Sequence, residues 1–359
     1  MPTLLRLKVE PRNRSRPVPV IPLGSLVYSV AAASLLCCVS PLPSSLAFPA
    51  QAATPSAGGK VAATGVADTA VRRKMSELHP DATFHVPLNP DWFTTTEDAV
   101  WVTSSRSNAV TQIVAKTNQT GLSVTVSLPC SGLSYSFGSI WIPSCGGRNL
   151  VRAESATGKI IAEIAASPAQ SEGGISSGAG SVWLVTSKEG VLARIDPATN
   201  RIAATITIPS GSYNPLFAEG YIWVSSNEHS ELVQVDPATN KVIATIPTGK
   251  NPRFLTYGEG SVWTLNQGDG TISRIDAKTA KNLANIEAGI PGEGGEMTFG
   301  FHSAWATLFG FPITRVDATT NKVTEQWVGS GGDSIRVAHG SLWLTNYKTG
   351  EVWRITPAQ

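Results

Sequence analysis

Apolar and polar positions alternate along most of this chain in short runs that end at turns. From residue 251 to residue 289, the runs RFLTY, SVWTLN, TISRID and NLANIEA are separated by turns that contain glycine or aspartate. Alternation with a period of two is typical of half-buried strands, and short turns between such runs indicate antiparallel pairing. This stretch therefore predicts a four-stranded antiparallel meander.

The same pattern recurs about every 40 residues, and each copy has a tryptophan in its second run. The tryptophans are Trp101, Trp141, Trp183, Trp223, Trp263, Trp305 and Trp343. A single meander cannot bury both of its faces, whereas meanders arranged around an axis can bury them against each other. We therefore predict an all-β fold, a seven-bladed β-propeller with four-stranded antiparallel blades, and we expect the tryptophans to pack between blades.

The last copy of the pattern stops after its third strand. The segment Thr83–Leu88, which precedes the first tryptophan copy, resembles the fourth strands of the other copies. We expect it to pair with Val352–Thr356, so that the N-terminal strand completes the last blade and leaves no exposed strand edge at the join.

A recurring turn joins the third and fourth strands. It reads DPATNR from Asp196 and DPATNK from Asp236, with variants at Asp276 and Asp317. Aspartate accepts backbone hydrogen bonds in such turns, and asparagine tolerates the left-handed conformation. We interpret the aspartates as turn residues rather than as a row of ligands.

The N-terminal region lacks the repeated strand pattern, and with it the chain falls into three parts. Several arginines precede a charge-free stretch from Pro17 to Gly59. Within it, Ala50-Gln51-Ala52 resembles a signal-peptide cleavage site. We predict an export signal over residues 1–52, a flexible lead-in over 53–80 and the propeller over 81–359. A retained membrane anchor is the alternative to cleavage. The expected location is periplasmic or extracellular, with no membrane span after the signal is removed.

Composition excludes some partners. Only 15% of residues are charged and the net charge is +2, which gives no indication of nucleic-acid binding. After signal removal two cysteines remain, Cys130 and Cys145, and both lie in loops that enter or cross the second blade. In an exported protein we expect them to form a disulfide; a thiol pair or a metal site is the alternative.

The meander topology sorts the loops onto two faces. The connections from the fourth to the first strand and from the second to the third strand lie on one face, which also receives Asp91 and Glu172. There we expect a small molecule, peptide or protein to bind. The predicted ligand-binding residues are Trp92, Tyr135, Tyr213, Asn214, Arg253, Asn266, Arg336 and Asn346. Arginines at the funnel suit an anionic ligand, or else pair with Glu296 or Asp333.

The loop IPGEGGEM on this face suggests a divalent cation. Glu293 and Glu296, with Asp333 from the next loop, could hold Mg²⁺ or Ca²⁺, and solvated carboxylates are the alternative. Of the five histidines only His229 falls on this face, so neither a histidine-rich metal site nor a Ser–His–Asp arrangement is supported. No other cofactor is indicated.

With VDPATNKVIATIPTGKNP and GSVW as its motifs, the chain resembles the bacterial YVTN-type seven-bladed propellers. More distantly, it is similar to the streptogramin (virginiamycin B) lyase group. That resemblance implies glutamates three positions after the tryptophans, which with histidines bind Mg²⁺ and abstract a proton. The corresponding residues here are Ser104, Ser144, Thr186, Ser226, Asn266, Leu308 and Asn346. None is acidic, which argues against lyase chemistry.

Two functions follow from these patterns. The favoured one is an exported, monomeric ligand- or partner-binding propeller without evident catalytic machinery, in which the Ser/Asn positions after the tryptophans hydrogen-bond a ligand or water. The alternative is a Mg²⁺-dependent enzyme acting in the central funnel, either a streptogramin-lyase-like C–O lyase or a lactone hydrolase. No motif of a redox or cofactor-dependent propeller is present.

Overall fold

A computed structural model describes residues 62–357. The predicted export signal and the first part of the lead-in lie outside the described residues. Within the described range, no helix has the length and apolar character needed to cross a bilayer. Regular structure is almost entirely β, apart from three single-turn 3₁₀ helices at Thr69–Val71, Met75–Glu77 and Ser105–Ser107.

The strands form seven sheets, which we number as blades in chain order. The strands are β1 (Arg72–Lys74) and β2 (Ala82–His85); in blade 1, β3 (Pro90–Thr95), β4 (Ala99–Ser104), β5 (Ala109–Val114) and β6 (Gln119–Thr125); in blade 2, β7 (Ser134–Ser136), β8 (Ser139–Ser144), β9 (Asn149–Glu154) and β10 (Ile160–Ile164); in blade 3, β11 (Ile175–Gly178), β12 (Ser181–Ser187), β13 (Val191–Asp196) and β14 (Arg201–Thr207); in blade 4, β15 (Ser212–Ala218), β16 (Tyr221–Ser226), β17 (Glu231–Asp236) and β18 (Lys241–Pro247); in blade 5, β19 (Pro252–Gly258), β20 (Ser261–Asn266), β21 (Thr271–Asp276) and β22 (Lys281–Glu287); in blade 6, β23 (Met297–Gly300), β24 (Ser303–Leu308), β25 (Phe311–Asp317) and β26 (Lys322–Val328); and in blade 7, β27 (Ile335–Ala338), β28 (Ser341–Asn346) and β29 (Glu351–Ile355).

The blades close into a ring. The first strand of each blade contacts the first strand of the next, and β27 of blade 7 contacts β3 of blade 1. Fourth strands lie at the outer edge and are largely exposed, as the pattern of β14 and β18 shows. The predicted seven-bladed propeller of four-stranded antiparallel blades is confirmed.

The N-terminal strand closes blade 7 as the sequence predicts. β2 pairs antiparallel with β29, and Phe84 lies opposite Val352. The strand is shorter than the predicted Thr83–Leu88. It ends before Pro87, which has no N–H to donate, and Leu88 is exposed.

Part of the lead-in adds a strand that the sequence analysis did not predict. β1 pairs in parallel with β26 at the outer edge of blade 6, with Arg73 opposite Trp327. Met75, just after β1, is buried in the cluster between blades 6 and 7. The described part of the lead-in therefore covers a strand edge, where a flexible segment was expected.

The seven tryptophans form the framework between blades. Each is at most 1% exposed. In six of the seven, the indole N–H donates to the carbonyl five residues earlier, as from Trp263 to Gly258 at 3.2 Å; the indole nitrogen of Trp101 has no such partner. The expectation that these residues pack as core is confirmed.

An arginine on the third strand covers most of these tryptophans. In blade 5, Arg274 lies opposite Trp263 with its guanidinium 4.7 Å from the ring centre. It donates to Ser261 Oγ at 2.9 Å and reaches Asn321 Oδ1 in the turn of blade 6 at 2.9 Å. Equivalent links join blades 2 and 3, 3 and 4, and 7 and 1. The asparagine of the DPATN turn is thus an acceptor for the neighbouring blade.

We predict that Arg274→Ala lowers the free energy of unfolding by about 2 kcal/mol, because a cation–π contact and charge-assisted hydrogen bonds are lost together. Chemical denaturation measures this. Arg274→Gln is the matched control, because blades 1 and 4 have Gln112 and Gln234 at this position. A glutamine variant as unstable as the alanine variant would show that the guanidinium contacts matter and that side-chain bulk does not replace them. No loss in either would contradict the role given to the arginine.

Candidate functional site

A cavity of about 660 Å³ opens on the predicted face of the propeller. Its walls come from the fourth-to-first and second-to-third connections of several blades, so the sorting of loops onto faces is confirmed. The lining residues are Asp91, Ser105, Leu128, Cys130, Cys145, Ser171, Glu172, Arg253, Glu293, Gly294, Phe309, Asp333 and Tyr347. A smaller chamber of about 110 Å³ is lined by residues that include Trp92, Asn214, Phe254, Glu296 and Arg336.

These lining residues follow a simple rule of position. Ten residues before each tryptophan, on the entry to the first strand, lie Asp91, Ser131, Gly173, Tyr213, Arg253, Gly295 and Asp333. Nine residues before each tryptophan lie Trp92, Gly132, Gly174, Asn214, Phe254, Glu296 and Ser334. Six members of the second set line the smaller chamber. The first strands form the inner ring of the propeller, so these two positions lie near its axis.

Three buried carboxyl groups, those of Asp91, Glu296 and Asp333, lie at this site with the half-buried Glu172, and their negative charges raise one another's pKa values. The pKa of Asp91 is raised well above its usual value by burial and then by the negative charges of Asp333 and Glu172. Its Oδ1 accepts a hydrogen bond from Ser334 Oγ at 2.9 Å. The pKa of Glu172 is also raised by burial, although the nearby Arg253 lowers it in part. Ionising all of these groups at once is therefore unfavourable.

Asp333 and Glu296 titrate near neutrality. Burial, followed by the charge of Glu172, raises the pKa of Asp333 to about 6, even though Gly295 N–H donates to its Oδ1 at 3.2 Å. Burial raises the pKa of Glu296 to about 7, partly offset by Arg336. Both side chains are almost completely enclosed by protein, so water screens their charges poorly.

The two arginines of the site are engaged by acidic or aromatic neighbours. Arg336 forms a salt bridge with Glu296 and donates to the carbonyl of Phe93 at 3.2 Å. The alternative in which a funnel arginine pairs with Glu296 is therefore the correct one for Arg336. Arg253 lies 4.6 Å above the ring of Tyr213. The site contains five carboxyl groups, those of Asp91, Glu172, Glu293, Glu296 and Asp333, and two guanidinium groups, so it has three more potential negative charges than positive ones.

The structure brings most of the predicted site residues together. Arg253, Glu293 and Asp333 line the larger cavity, and Trp92, Asn214, Glu296 and Arg336 line the smaller one. Tyr213 joins the site by its contact with Arg253. Asn214 also positions Arg253, because its Nδ2 donates to the Arg253 carbonyl at 2.7 Å.

Three predicted ligand-binding residues lie elsewhere. Tyr135 belongs to the opposite side of its blade, where its hydroxyl is 3.4 Å from Glu97 Oε2. Asn266 is fully buried within blade 5 and donates to Thr271 and Ser273 at 2.8 Å each. Asn346 lines a separate rim cavity between blades 6 and 7.

Three of the seven positions that follow the tryptophans by three residues have structural roles, those of Ser104, Ser144 and Asn266. Ser104 Oγ donates to the Pro87 carbonyl at 2.8 Å, and Ser144 Oγ donates to the Ser127 carbonyl at 2.5 Å. Asn266 forms the buried bonds described above. These side chains satisfy backbone and side-chain groups of their own blades, so the expectation that they form a ligand-facing polar ring is wrong for these blades.

The three carboxylates predicted as a metal site are not arranged as one. Among residues 62–357, no three histidine, cysteine, aspartate or glutamate side chains converge closely enough to hold a metal ion. The physical reason is that the Glu296 carboxylate pairs with Arg336 through one oxygen. Its other oxygen, Oε2, accepts a hydrogen bond from the backbone N–H of Ile335 at 3.2 Å. In this arrangement Glu293, Glu296 and Asp333 do not fit the divalent cation that the alternative, a Mg²⁺-dependent enzyme, requires.

Cys130 and Cys145 form the predicted disulfide, with Cα atoms 5.8 Å apart. Both sulfur-bearing residues belong to the wall of the larger cavity. The bond ties the loop that enters blade 2 to that blade's second-to-third connection, which fixes this side of the rim.

Asp91 and Glu172 are the functional candidates that the predicted site omitted. The order of strands and turns in the sequence places both on this face, together with its other polar residues, and does not distinguish them from those. The spacing from the tryptophan supplies the missing signal for Asp91, which stands at the same position as Arg253 and Asp333. Glu172 lies one residue earlier in its repeat, so only the structure shows that it points inward.

Comparison with known proteins supports the fold. A family model described as a repeat of unknown function (DUF6923) matches residues 156–282. No curated protein matches the chain. A streptogramin B lyase structure is 17% identical and has a TM-score of 0.62, covering 76% of this chain and 96% of the lyase.

Two further structures give the same result. A catalytically inactive histidine-to-alanine variant of virginiamycin B lyase from Staphylococcus aureus, solved with quinupristin, is 15% identical with a TM-score of 0.64, over 77% of this chain and 99% of that one. Hydrazine synthase of Kuenenia stuttgartiensis is 13% identical with a TM-score of 0.65, over 77% and 98%. The distant similarity to streptogramin lyases is confirmed. At these identities it concerns the fold alone.

Proposed function

We propose that this chain is an exported binding protein that holds a small molecule in the cavity at the mouth of its funnel. The observation that carries the proposal is the pair Asp91 and Asp333, two buried carboxyl groups that line the same cavity. The charge of Asp333 contributes to the raised pKa of Asp91. Burying such groups without cationic partners costs stability. Proteins keep arrangements of this kind mainly at functional sites.

The size and polarity of the cavity favour a small ligand over a protein partner. A volume of about 660 Å³ lies within the range typical of small-molecule sites, which combine apolar walls with a few converging polar groups. Here Leu128, Phe309 and Tyr347 supply apolar or aromatic wall. The disulfide is compatible with an oxidising compartment, which supports the export part of the proposal.

Lyase chemistry has less support. Its strongest argument is Glu296, whose pKa of about 7 suits proton transfer. However, both oxygens of Glu296 are occupied, by Arg336 and by Ile335 N–H. The Staphylococcus aureus lyase is described as inactive after a histidine-to-alanine change. Here His229 contacts Ser210 at the exposed rim, at 3.3 Å, and no described histidine lines either cavity.

A thermal-shift screen of a small-molecule library tests the proposal. A ligand that binds the native state at about 100 times its Kd stabilises it by about 2.7 kcal/mol, which shifts the melting temperature by several degrees. We expect at least one compound to stabilise the wild type and Glu77→Gln, an exposed control in the lead-in, but not Asp333→Asn. Compounds that stabilise all three proteins equally would place binding outside the funnel and contradict the proposal.

A further inference from the structure

The two cavity aspartates have no cationic partner among residues 62–357. Asp91 accepts from Ser334 Oγ and Asp333 accepts from Gly295 N–H, and neither forms a salt bridge. Each of the surrounding arginines is held by another group, Arg336 by Glu296 and Arg253 by the face of Tyr213. A positive charge placed between the aspartates would therefore relieve a repulsion that the protein itself leaves in place.

A second observation concerns donors rather than acceptors. Trp92 is only 3% exposed and lines the smaller chamber, and its indole Nε1–H has no acceptor. The Nε of Arg253 is also buried without an acceptor. Buried donors of this kind are rare in native proteins, because each one forfeits its hydrogen bond to water. Because Arg253 and Trp92 belong to the walls of the two cavities, an occupant with acceptor atoms of its own would satisfy them.

These two sets of groups select the chemistry of the occupant. A bare metal ion would neutralise the aspartates but would leave the N–H groups of Trp92 and Arg253 without acceptors. In addition, the carboxylates do not converge on one point as metal ligands would. A dicarboxylate would supply acceptors but add to the negative charge. A molecule with one amine and several oxygen atoms supplies both the positive charge for the aspartates and the acceptors for the two donors. The cavity of about 660 Å³ has room for it.

We propose that the funnel ligand is a small organic cation, an amine that also carries hydroxyl or carbonyl oxygens, with its ammonium group held between Asp91 and Asp333. The inference rests on the proposed binding function and specifies its ligand class. The ammonium N–H groups donate to the two carboxylates, and the ligand oxygens accept from Trp92 and Arg253.

Binding of such a cation depends on the protonation of the site. The groups that face the aspartates are Glu172, Glu293 and Glu296, the guanidinium groups of Arg253 and Arg336, and Tyr347. Below about pH 6 Asp333 is protonated in the free protein, so a cation must displace that proton. Its affinity therefore falls by up to about tenfold for each pH unit below that value.

Isothermal titration calorimetry with compounds matched in size tests this inference. The cationic probes are glucosamine and putrescine, their neutral counterparts are glucose and butanediol, and the anionic ones are glucuronate and succinate. We expect glucosamine to bind wild type at about pH 7 at least tenfold more tightly than glucose, and to bind at least tenfold more weakly at about pH 5. Asp333→Asn should lose at least tenfold in affinity, while Glu77→Gln should not.

The outcomes separate the two proposals. Equal or tighter binding of glucose or glucuronate, lost in Asp333→Asn, would overturn the cation inference and leave the binding function standing. Tighter binding of putrescine than of glucosamine would overturn the need for oxygen acceptors. No detectable heat from any of the six probes, together with no funnel-dependent hit in the thermal-shift screen, would overturn both proposals.

Discussion

Phe84→Ala is expected to lower the free energy of unfolding by about 3–5 kcal/mol, the usual cost of truncating a buried phenylalanine. Phe84 is 6% exposed and stacks on Trp343 with ring centres 5.6 Å apart. It lies on β2, the only part of blade 7 that comes from the N-terminal side of the propeller. Losing it weakens both the core between blades 7 and 1 and the join that closes the ring. Equilibrium denaturation in guanidinium measures the change.

Phe137→Ala is the matched control for this prediction. Phe137 lies in a turn of blade 2 and is 46% exposed, so the same truncation should change stability by less than about 1 kcal/mol. Equal effects of the two substitutions would contradict the closing role of β2. A shallower denaturation curve in Phe84→Ala would also be informative, because it indicates that blade 7 separates before the rest of the ring unfolds.

Asp333→Asn is expected to stabilise the free protein at about pH 8 and to have little effect at about pH 4. The pKa of Asp333 is about 6 in the folded protein against 3.8 without burial. The folded state therefore binds this proton more tightly than the unfolded chain. Its contribution to stability is fully present below about pH 3.8 and is lost as the pH rises through about 6, a change of roughly 3 kcal/mol.

Asparagine keeps the shape of Asp333 and can still accept from Gly295 N–H, but it never becomes charged. The variant and the wild type should therefore differ by up to roughly 3 kcal/mol above about pH 7 and converge in acid. Guanidinium denaturation at several pH values measures the difference in unfolding free energy both above about pH 7 and in acid, with Glu77→Gln as the exposed control. A variant that is less stable than wild type at every pH would contradict the burial of an uncompensated charge at this position.

The sequence predicts the framework because the framework is periodic. The seven repeat tryptophans are all buried. The third-to-fourth turns of blades 3 to 6 each use an aspartate to cap the backbone, as Asp196 does by accepting from Ala198 N–H at 2.9 Å. Even the missing strand of blade 7 could be found before the first repeat. Physical constraints that recur in every blade leave the same residue types in every copy.

The candidate site is less predictable because it depends on what differs among the copies. The ring ten residues before the tryptophans holds two aspartates, an arginine, a tyrosine, a serine and two glycines, so no repeated residue marks it. The loops that precede this ring also vary in length, so the spacing from the tryptophan does not place Glu172 with the other residues of the ring. The position three residues after the tryptophans looked informative, but in blades 1, 2 and 5 its side chain bonds to nearby protein groups.

We expect acidic groups of the funnel to stay protonated near neutral pH until a ligand satisfies them. Infrared spectroscopy in deuterated buffer measures this directly, because a protonated carboxyl group and a carboxylate absorb at different frequencies. The expected result is a carboxylic acid C=O band that persists above about pH 6 in the wild type and is weaker in Asp333→Asn. Complete loss of this band by about pH 5 in the wild type would contradict it.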